Sequence, residues 1–458
     1  MKKIIIIVLF LCILQVVYCE TEAVQPQNFN ESSAGTEENP FIIENLANLR
    51  WLSETSAVWG DSLTTFYFIQ VANIDAAETI SWNNGEGFYT IGITFTGEFP
   101  DYVRFYANYD GQGHCINNLS INNPTNANRS LFGNIQNSSI RNLNLVNISY
   151  YGTSSGMIAM AIDSEIVNCS VSGNISEGVG NHAGFIGNAY SSYISRCFSN
   201  VIITITEPNY VVSAAGFSSG IHNSQLDNCY SMGNLTIVNA DYPGCYSFMA
   251  EIVQSTVNNC YSTVGVNCII SSILSGYMSE SVVNNFFWDN ELVNTINVNN
   301  MVENSDLVNV IGFSTEQMKD SANYIEYGWD FENIWSINPE INDGYPFLQW
   351  ELNSTPNSEL DNSATPVEIS ATNYPNPFNP ETTIEFNNPV RGEISVNIYN
   401  LKGQLVKKLL QDNLTQGVHK VVWNGTDDNN KGVSSGVYFY KISNNNNNLI
   451  TKRTILMK

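Results

Sequence analysis

Basic residues are scarce in this chain of 458 residues: 18 Lys and Arg stand against 43 Asp and Glu, for a formal net charge of −25. Nucleic acids and anionic membrane surfaces attract proteins through clusters of basic side chains. We therefore expect neither as a partner. Between residues 130 and 290 the only basic residues are Arg141 and Arg196, so this stretch lacks the cations that a lyase acting on acidic sugars needs.

Long apolar runs are also missing beyond the N-terminus, where no stretch approaches the roughly 18 residues of a membrane-spanning helix. The apolar run Ile4–Tyr18 follows Lys2 and Lys3 and predicts a secretory signal peptide over residues 1–19. We expect the mature chain to leave the cytoplasm without an integral membrane segment. A lipidated Cys19 is an alternative, although Tyr18 is large where such a site prefers a small residue.

Histidine is rare, with four residues, and no CxxC or Cys/His spacing of a zinc site occurs. A glycoside hydrolase needs two carboxylates roughly 5–10 Å apart. Within residues 130–290 no two acidic residues share a position on neighbouring repeats, and the adjacent Asp163 and Glu165 are better explained as a solvated pair. We therefore predict no catalytic residue, no metal and no cofactor.

The chain contains many copies of a four-residue pattern: an apolar residue, any residue, Asn and a second apolar residue. Its period varies around 28 residues, and a small residue followed by an apolar one stands ten or eleven positions upstream. Short β-prone runs separated by Gly, Asn and Ser favour a parallel β-helix over helical hairpins. The six copies are Ile140–Leu143, Ile166–Cys169, Ile194–Cys197, Leu226–Cys229, Val257–Cys260 and Val283–Phe286.

The first and fourth residues of the repeat are both apolar, although a straight strand would point them to opposite faces. A bend at the Asn resolves this conflict, because Asn tolerates the left-handed conformation. We predict an amide ladder with rungs about 4.8 Å apart, interrupted only by Arg196. Its members are Asn142, Asn168, Asn228, Asn259 and Asn285.

Four cysteines occupy one repeat position. In an exported protein they are candidates for disulfides, but stacked side chains have Cβ atoms about 4.8 Å apart, beyond the roughly 3.5–4.5 Å of a good disulfide. We favour a ladder of small buried thiols. The members are Cys169, Cys197, Cys229 and Cys260.

These repeats resemble the GLUG-motif repeats of adhesin-like bacterial surface proteins. Residues 67–76 and 110–114 are similar to that family's lead-in, and residues 313–319 and 343–347 to its closing segment. Asp110–His114 carries two glycines, which predict a tight turn, with a calcium-binding or catalytic loop as the alternative. The resemblance implies a parallel β-helix and says nearly nothing about a ligand.

Residues 367–458 contain at least six strand-like runs, which predict an immunoglobulin-like sandwich. This tail resembles the type A C-terminal sorting domain of type IX secretion substrates, in Asn373–Pro380, Ile398–Gly403, Trp423–Gly425, Ser435–Tyr440 and Lys452–Lys458. The resemblance implies the type IX secretion machinery as a partner and a location outside a Gram-negative cell or on its outer surface. The alternative is a structural sandwich without a sorting role.

The predicted fold class is all-β: a parallel β-helix followed by a small immunoglobulin-like sandwich. The expected parts are a signal peptide over 1–19, a polar tether over 20–39, an N-terminal cap over 40–115, repeats over 116–290, a C-terminal cap over 291–352, a linker over 353–366 and the sorting domain over 367–458.

Tyrosines mark a candidate binding edge, because the variable length of the repeat places loops along one side of the β-helix. A row of exposed tyrosines there suits contact with a glycan or a surface protein; scattered surface aromatics are the alternative. The four residues are Tyr150, Tyr151, Tyr210 and Tyr242. We predict a secreted or surface-bound, adhesin-like binding protein without catalysis, with a carbohydrate-active β-helix lyase or hydrolase as the second hypothesis.

Overall fold

In a computed structural model the chain forms two compact units, residues 1–357 and 358–458. The first is a parallel β-solenoid and the second consists of small antiparallel sheets, so the predicted fold class is confirmed. The predicted signal peptide lies outside the described residues, as does most of the predicted linker. The structure describes residues 20–95, 100–101, 103–122, 130–153, 155–178, 180–206, 212–238, 244–268, 270–292, 298–353, 371–376, 378–388, 392–400, 404–414, 417–428, 431–444 and 447–457.

The largest sheet of the solenoid has 18 strands and bends around a corner of each coil. Its strands pair in parallel and in register from coil to coil, as in Ile140↔Ile166 and Ile194↔Leu226. The strands are Phe41–Ile43, Tyr67–Gln70, Ile74–Asp75, Asn108–Asp110, Cys115–Asn117, Ser120–Asn122, Ser139–Arg141, Asn144–Tyr151, Glu165–Val167, Ser170–Ser176, Tyr193–Ser195, Phe198–Ile205, Gln225–Asp227, Tyr230–Ile237, Thr256–Ser262, Gly265–Asn267, Val282–Asp289 and Asp306–Phe313.

Two further parallel sheets complete the coils. The second sheet has seven strands and the third has four. The second sheet contains Phe132–Gln136, Ile158–Ile162, Ile186–Tyr190, Ser218–His222, Met249–Val253, Ser275–Ser279 and Asn299–Glu303; the third contains Gly180–Ala183, Val212–Ala215, Gly244–Tyr246 and Ile270–Ser272.

The corner asparagines adopt the left-handed conformation, with φ from 52° at Asn142 to 58° at Asn285. Asn168 Nδ2 donates to Asn142 Oδ1 at 3.0 Å, and Asn285 Nδ2 donates to Asn259 Oδ1 at 2.9 Å. Arg196 has the same backbone, with φ of 52°. Because its side chain offers no amide, the buried Asn168 Oδ1 has no hydrogen-bond partner among the residues that the structure covers.

A column of serines forms a second corner, which the apolar repeat pattern did not indicate. Each serine follows a non-glycine residue of positive φ, as at Asp163 with φ of 47°. Ser138 N donates to Ser164 Oγ at 3.2 Å, and that hydroxyl donates to Ile162 O at 2.7 Å. The hydroxyl thus satisfies one backbone group on each of two coils. The serine column comprises Ser138, Ser164, Ser192, Ser224, Ser255, Ser281 and Ser305.

The interior of the solenoid is filled by columns of apolar side chains. Phe217 stacks on Phe185 and Phe248, with ring centroids 4.9 and 5.3 Å apart. The four cysteines of the repeat are fully buried and free. Cys197 N donates to Cys229 Sγ at 3.4 Å, and burial raises the pKa of the Cys229 thiol well above its ordinary range. These thiols therefore act as small core side chains.

The N-terminal end of the solenoid is covered by a helix over Leu46–Glu54. Asn45 caps it by accepting a hydrogen bond from Asn48 N at 3.1 Å, as N-cap residues do. Leu49 and Leu52 are fully buried, and the ring of Trp51 meets Phe41 of the first coil edge-on at 5.9 Å. Three 3₁₀ turns, Ser56–Val58, Ala77–Ser81 and Asn83–Gly85, and a short hairpin, Thr94–Phe95 with Pro100–Asp101, complete this region.

Residues 314–353 lie along the side of the solenoid, where they cover a row of outward aromatic rings. We call this segment the lateral cover. Tyr230 Oη donates to Glu351 Oε1 at 3.0 Å, and Trp335 Nε1 donates to Asn228 Oδ1 at 3.2 Å. The outward row is Phe198, Tyr230, Tyr261, Phe287 and Phe313. The elements of the cover are helices Thr315–Met318 and Ala322–Ile325, the strands Trp335–Ser336 and Phe347–Leu348, and the 3₁₀ turns Asn342–Gly344 and Gln349–Asn353.

The lateral cover belongs to the segment from which we predicted an end cap. The last coil strand, Asp306–Phe313, leaves Leu307 42 % and Val308 45 % exposed. The aromatic residues of the cover instead bury the flank of several coils. The outward aromatic row that they contact runs along the solenoid rather than across its end.

The second unit packs a three-stranded sheet with a four-stranded one around a single apolar core. Trp423, Ile384 and Ile398 are fully buried in it. The three-stranded sheet contains Ala371–Tyr374, Thr382–Asn388 and Gly417–Trp423; the four-stranded sheet contains Gly392–Asn400, Leu405–Leu414, Gly436–Asn444 and Asn447–Leu456. Because this unit has its own strands and its own apolar core, it is a domain in its own right.

Candidate functional site

Of the four tyrosines predicted to form a binding edge, the described residues include two, and one of these is buried. Tyr150 is 1 % exposed, because the strand Asn144–Tyr151 continues through the expected loop and points this side chain inward, level with Ile121 and Ile175. Placing Tyr150 on the binding edge is therefore wrong. Tyr151 is 38 % exposed, whereas Tyr210 and Tyr242 lie outside the described residues.

The segment Asp110–His114 forms a turn, with positive φ at Gln112 and Gly113. Asp110 Oδ1 accepts a hydrogen bond from Asn142 Nδ2 at 2.9 Å, and Asp110 Oδ2 contacts Arg141 Nε at 3.0 Å. The aspartate thus extends the asparagine column by one coil. Within the described parts of the chain, no group of three or more His, Cys, Asp and Glu side chains is arranged to hold a metal.

The outer face of the second sheet brings together polar side chains that lie far apart in the sequence. Residues four positions before each corner serine form one row across the coils, in which Asn188, Gly220, Glu251 and Tyr277 are successive neighbours. The row two positions before the serines places Tyr190 beside His222. Both rows point outward because the residues between them, such as Ile221, are buried in the core.

Three polar groups converge over Gly220. A Cβ at Gly220 would stand 3.0 Å from Asn188 Oδ1, 3.1 Å from His222 Nε2 and 3.5 Å from Glu251 Cβ. His222 Nε2 itself lies 3.8 Å from Glu251 Oε2. We call Asn188, His222 and Glu251, gathered around this glycine, the Gly220 cluster.

The Gly220 cluster is partly exposed and is flanked by two tyrosines. The side chains of His222 and Glu251 are 21 % and 52 % exposed. Tyr190, which is 36 % exposed, stacks on the imidazole ring at 4.8 Å with an interplanar angle of 11°. On the other side, Tyr277 Oη lies 3.2 Å from Glu303 Oε2. An amide, an imidazole and a carboxylate are thereby brought together on one partly exposed, outward face of the second sheet.

The sequence carries a signal for this cluster, but only after the coils are aligned on the serine column. Alignment on the first apolar residue of the repeat shows no two acidic residues at one position of neighbouring coils. It does not reveal the cluster, because the cluster contains three different residue types. The residues four positions before the serines are Asn134, Met160, Asn188, Gly220, Glu251, Tyr277 and Met301.

Comparison with known proteins assigns the tail. Residues 372–457 match the secretion system C-terminal sorting domain family. A sorting domain of this family supports export by type IX secretion, to the cell surface or to the outside of the cell. Fold and tail together define an exported β-solenoid protein.

A second likeness involves part of the chain only. Over 149 residues, 31 % of this chain, the sequence is 34 % identical to Halomucin from Haloquadratum walsbyi strain DSM 16790 / HBSQ001. The matched part spans 2 % of that relative's length, so the likeness assigns no activity. A search of the described helices finds none that is long and apolar enough to cross a membrane.

Proposed function

We propose that this chain is an adhesin-like binding protein of the GLUG-repeat type, secreted or held at the cell surface, that acts without catalysis. The observation that carries the proposal is the Gly220 cluster, in which three hydrogen-bonding side chains converge on a partly exposed face of an exported protein. Polar surfaces with aromatic flanks suit a glycan or a surface protein as ligand. The rigid solenoid holds the groups in place without a ligand, which lowers the entropic cost of binding.

Binding is tested with the mature full-length chain on an array that carries polysaccharides and immobilised surface proteins. We expect saturable binding to at least one class that survives washing at physiological salt. Absence of binding both to the array and to intact cells would contradict the proposal. The same incubations, assayed for new reducing ends and for unsaturated products, are expected to show no turnover.

A carbohydrate-active β-helix enzyme is the second candidate, favoured by one observation. His222 Nε2 and Glu251 Oε2 are 3.8 Å apart, and such a pair offers an acid and a base on one surface. The seven strands of the second sheet carry no Lys or Arg, so a lyase acting on an acidic sugar would lack cations there. Product formation that is lost in Glu251→Gln would establish this candidate in place of the first.

A further inference from the structure

We propose that the Gly220 cluster binds a neutral sugar residue through its hydroxyl groups, an inference that rests on the binding function proposed above. Other side-chain clusters of the solenoid stabilise the fold: the asparagine and serine columns satisfy backbone and amide groups, and the buried thiols fill the core. The Gly220 cluster differs because its polar groups face solvent and occur together on neighbouring coils.

Gly220 is not required by the backbone. It is absent from the residues of positive φ, so its conformation is open to any L-amino acid. What a side chain would disturb is the arrangement above it, since a Cβ would press on Asn188 Oδ1 and His222 Nε2 at 3.0 and 3.1 Å. The glycine therefore serves the arrangement of the two polar side chains that lean over it.

The spacing of these two atoms suits sugar hydroxyls. Since both lie about 3 Å from one point, they are no more than about 6 Å apart. One hydroxyl oxygen bridges such a span with two hydrogen bonds of about 2.7–3.2 Å, and two neighbouring hydroxyls do so more loosely. A hydroxyl donates and accepts at once, which matches an amide oxygen that accepts beside an imidazole and a carboxylate.

Charge decides in favour of a neutral ligand. Glu251 belongs to the cluster, Glu303 lies beside Tyr277, and the strands of this sheet carry no Lys or Arg. A uronate, sulfate or phosphate would meet carboxylates without a compensating cation, at a cost that rises with desolvation. The net charge of −25 acts in the same direction over longer distances.

The aromatic flanks limit how the sugar is held. The rings of Tyr190 and His222 are nearly parallel and stacked along the column, so their edges meet solvent while a face of each is covered by the other. Hydrogen bonds to the hydroxyls, more than stacking on a ring face, then set the selectivity. We expect discrimination between sugars that differ in the configuration of neighbouring hydroxyls.

The experiment measures binding of the mature full-length chain to immobilised mannan, galactan and dextran, with alginate, polygalacturonate and dextran sulfate as anionic probes. We expect binding to at least one neutral polymer and none to the anionic ones. Gly220→Ala, His222→Ala and Glu251→Gln are each expected to weaken it by about tenfold or more, as loss of a well-placed hydrogen bond does. Gly265→Ala is the control, because its Cβ would stand 2.4 Å from Asn234 Oδ1, a closer approach than any at Gly220, and would disturb a side-chain amide away from the second sheet.

Each outcome either supports or overturns the inference. Neutral-glycan binding that all three cluster variants retain would overturn it and leave the binding function standing, as would binding of the anionic polymers alone. Binding of a surface protein and of no glycan would likewise overturn the sugar site and leave the binding function standing. Absence of any binding to glycan, protein or cells would overturn both. Circular dichroism of every variant guards against loss of fold.

Discussion

The serine column and the row four residues before it lie on the same coils, yet they behave in opposite ways. The column is serine in every coil from Ser138 to Ser305, whereas the row changes at each step and includes Asn188, Gly220 and Glu251. Each serine hydroxyl binds backbone groups of two coils, which leaves no freedom at that position. The outward row is not held by this requirement for backbone hydrogen bonds, so a local arrangement such as the Gly220 cluster can form there. Identity across coils marks the fold, and local departure from it marks a candidate site.

The largest expected effect comes from removing the tail, which contains neither the serine column nor the outward row. A chain that ends at Leu352 retains every coil and every column but lacks the sorting domain matched over 372–457. We expect it to remain folded and protease-resistant and to be absent from the cell surface and the medium. Cell fractionation with immunoblotting checks this. As a counterpart, residues 353–458 behind a signal peptide and a fluorescent reporter should carry the reporter out; truncated protein outside at normal levels would refute the role of the tail.

Ser164→Ala tests the repeated side of the comparison. Its hydroxyl accepts from Ser138 N at 3.2 Å and donates to Ile162 O at 2.7 Å. Its loss leaves the buried Ser138 N without this acceptor, while Ile162 O keeps Asn137 N as a donor at 3.1 Å. We expect the free energy of unfolding to decrease by about 1–3 kcal/mol. Ser279→Ala, an outward serine of the second sheet, is the control and should change stability by less than about 0.5 kcal/mol. Equal losses in the two variants would remove the special role of the column.

The pH dependence of stability extends the comparison to a second outward row, the aromatic one beneath the lateral cover. Burial raises the pKa of the Glu351 carboxyl group to about 8, although Leu348 N and Tyr230 Oη donate hydrogen bonds to it. Because this pKa exceeds its ordinary value of 4.5, the folded state retains the proton longer than the unfolded chain. Stability should therefore decrease as pH rises from about 4.5 to 8 and level off above that range.

Urea unfolding followed by tryptophan fluorescence measures this stability, and the cover contributes Trp329, Trp335 and Trp350 of the eight tryptophans. Glu351→Gln is expected to reduce the slope of stability against pH in this window. A variant with the slope of the native chain would show that another group carries the dependence.

Arg196→Asn places an amide at the one position of the column between Asn142 and Asn285 that lacks an asparagine. The new amide would stand beside the buried Asn168 Oδ1, which lacks a partner within the described structure, on a backbone that already has the corner conformation. We expect a gain of about 0.5–1.5 kcal/mol in the free energy of unfolding. Arg141→Asn, at an exposed position next to the column, is the control: it loses the ion pair with Asp110, adds no amide to the column and is expected to bring no gain. A loss of stability in Arg196→Asn would mean that the arginine side chain itself contributes.

The sequence predicted what each coil repeats. Asn228 and its equivalents stand at a fixed position within a repeat of variable length, and one conflict of strand geometry was enough to place them at a corner. The tail was recognisable because its motifs occur together at one end. The serine corners were equally regular but were missed, since serine is also common in loops.

The remainder depended on three-dimensional information. Tyr150 is inward because the strand Asn144–Tyr151 continues through the expected loop, so this side chain alternates into the core instead of projecting from a loop. The aromatic residues of 314–353 do not repeat, so nothing in their order distinguished the side of the solenoid from its end. The Gly220 cluster combines an amide, an imidazole and a carboxylate from three coils, and only the register across the second sheet brings them together.

The most direct test measures stability and glycan binding in two variants side by side. We expect a crossed result: Ser164→Ala lowers the free energy of unfolding by about 1–3 kcal/mol and leaves affinity for the bound neutral glycan unchanged. Gly220→Ala lowers that affinity by about tenfold or more and alters stability by less than about 0.5 kcal/mol. Both quantities decreasing together in both variants would contradict the separation of fold and function between these two rows.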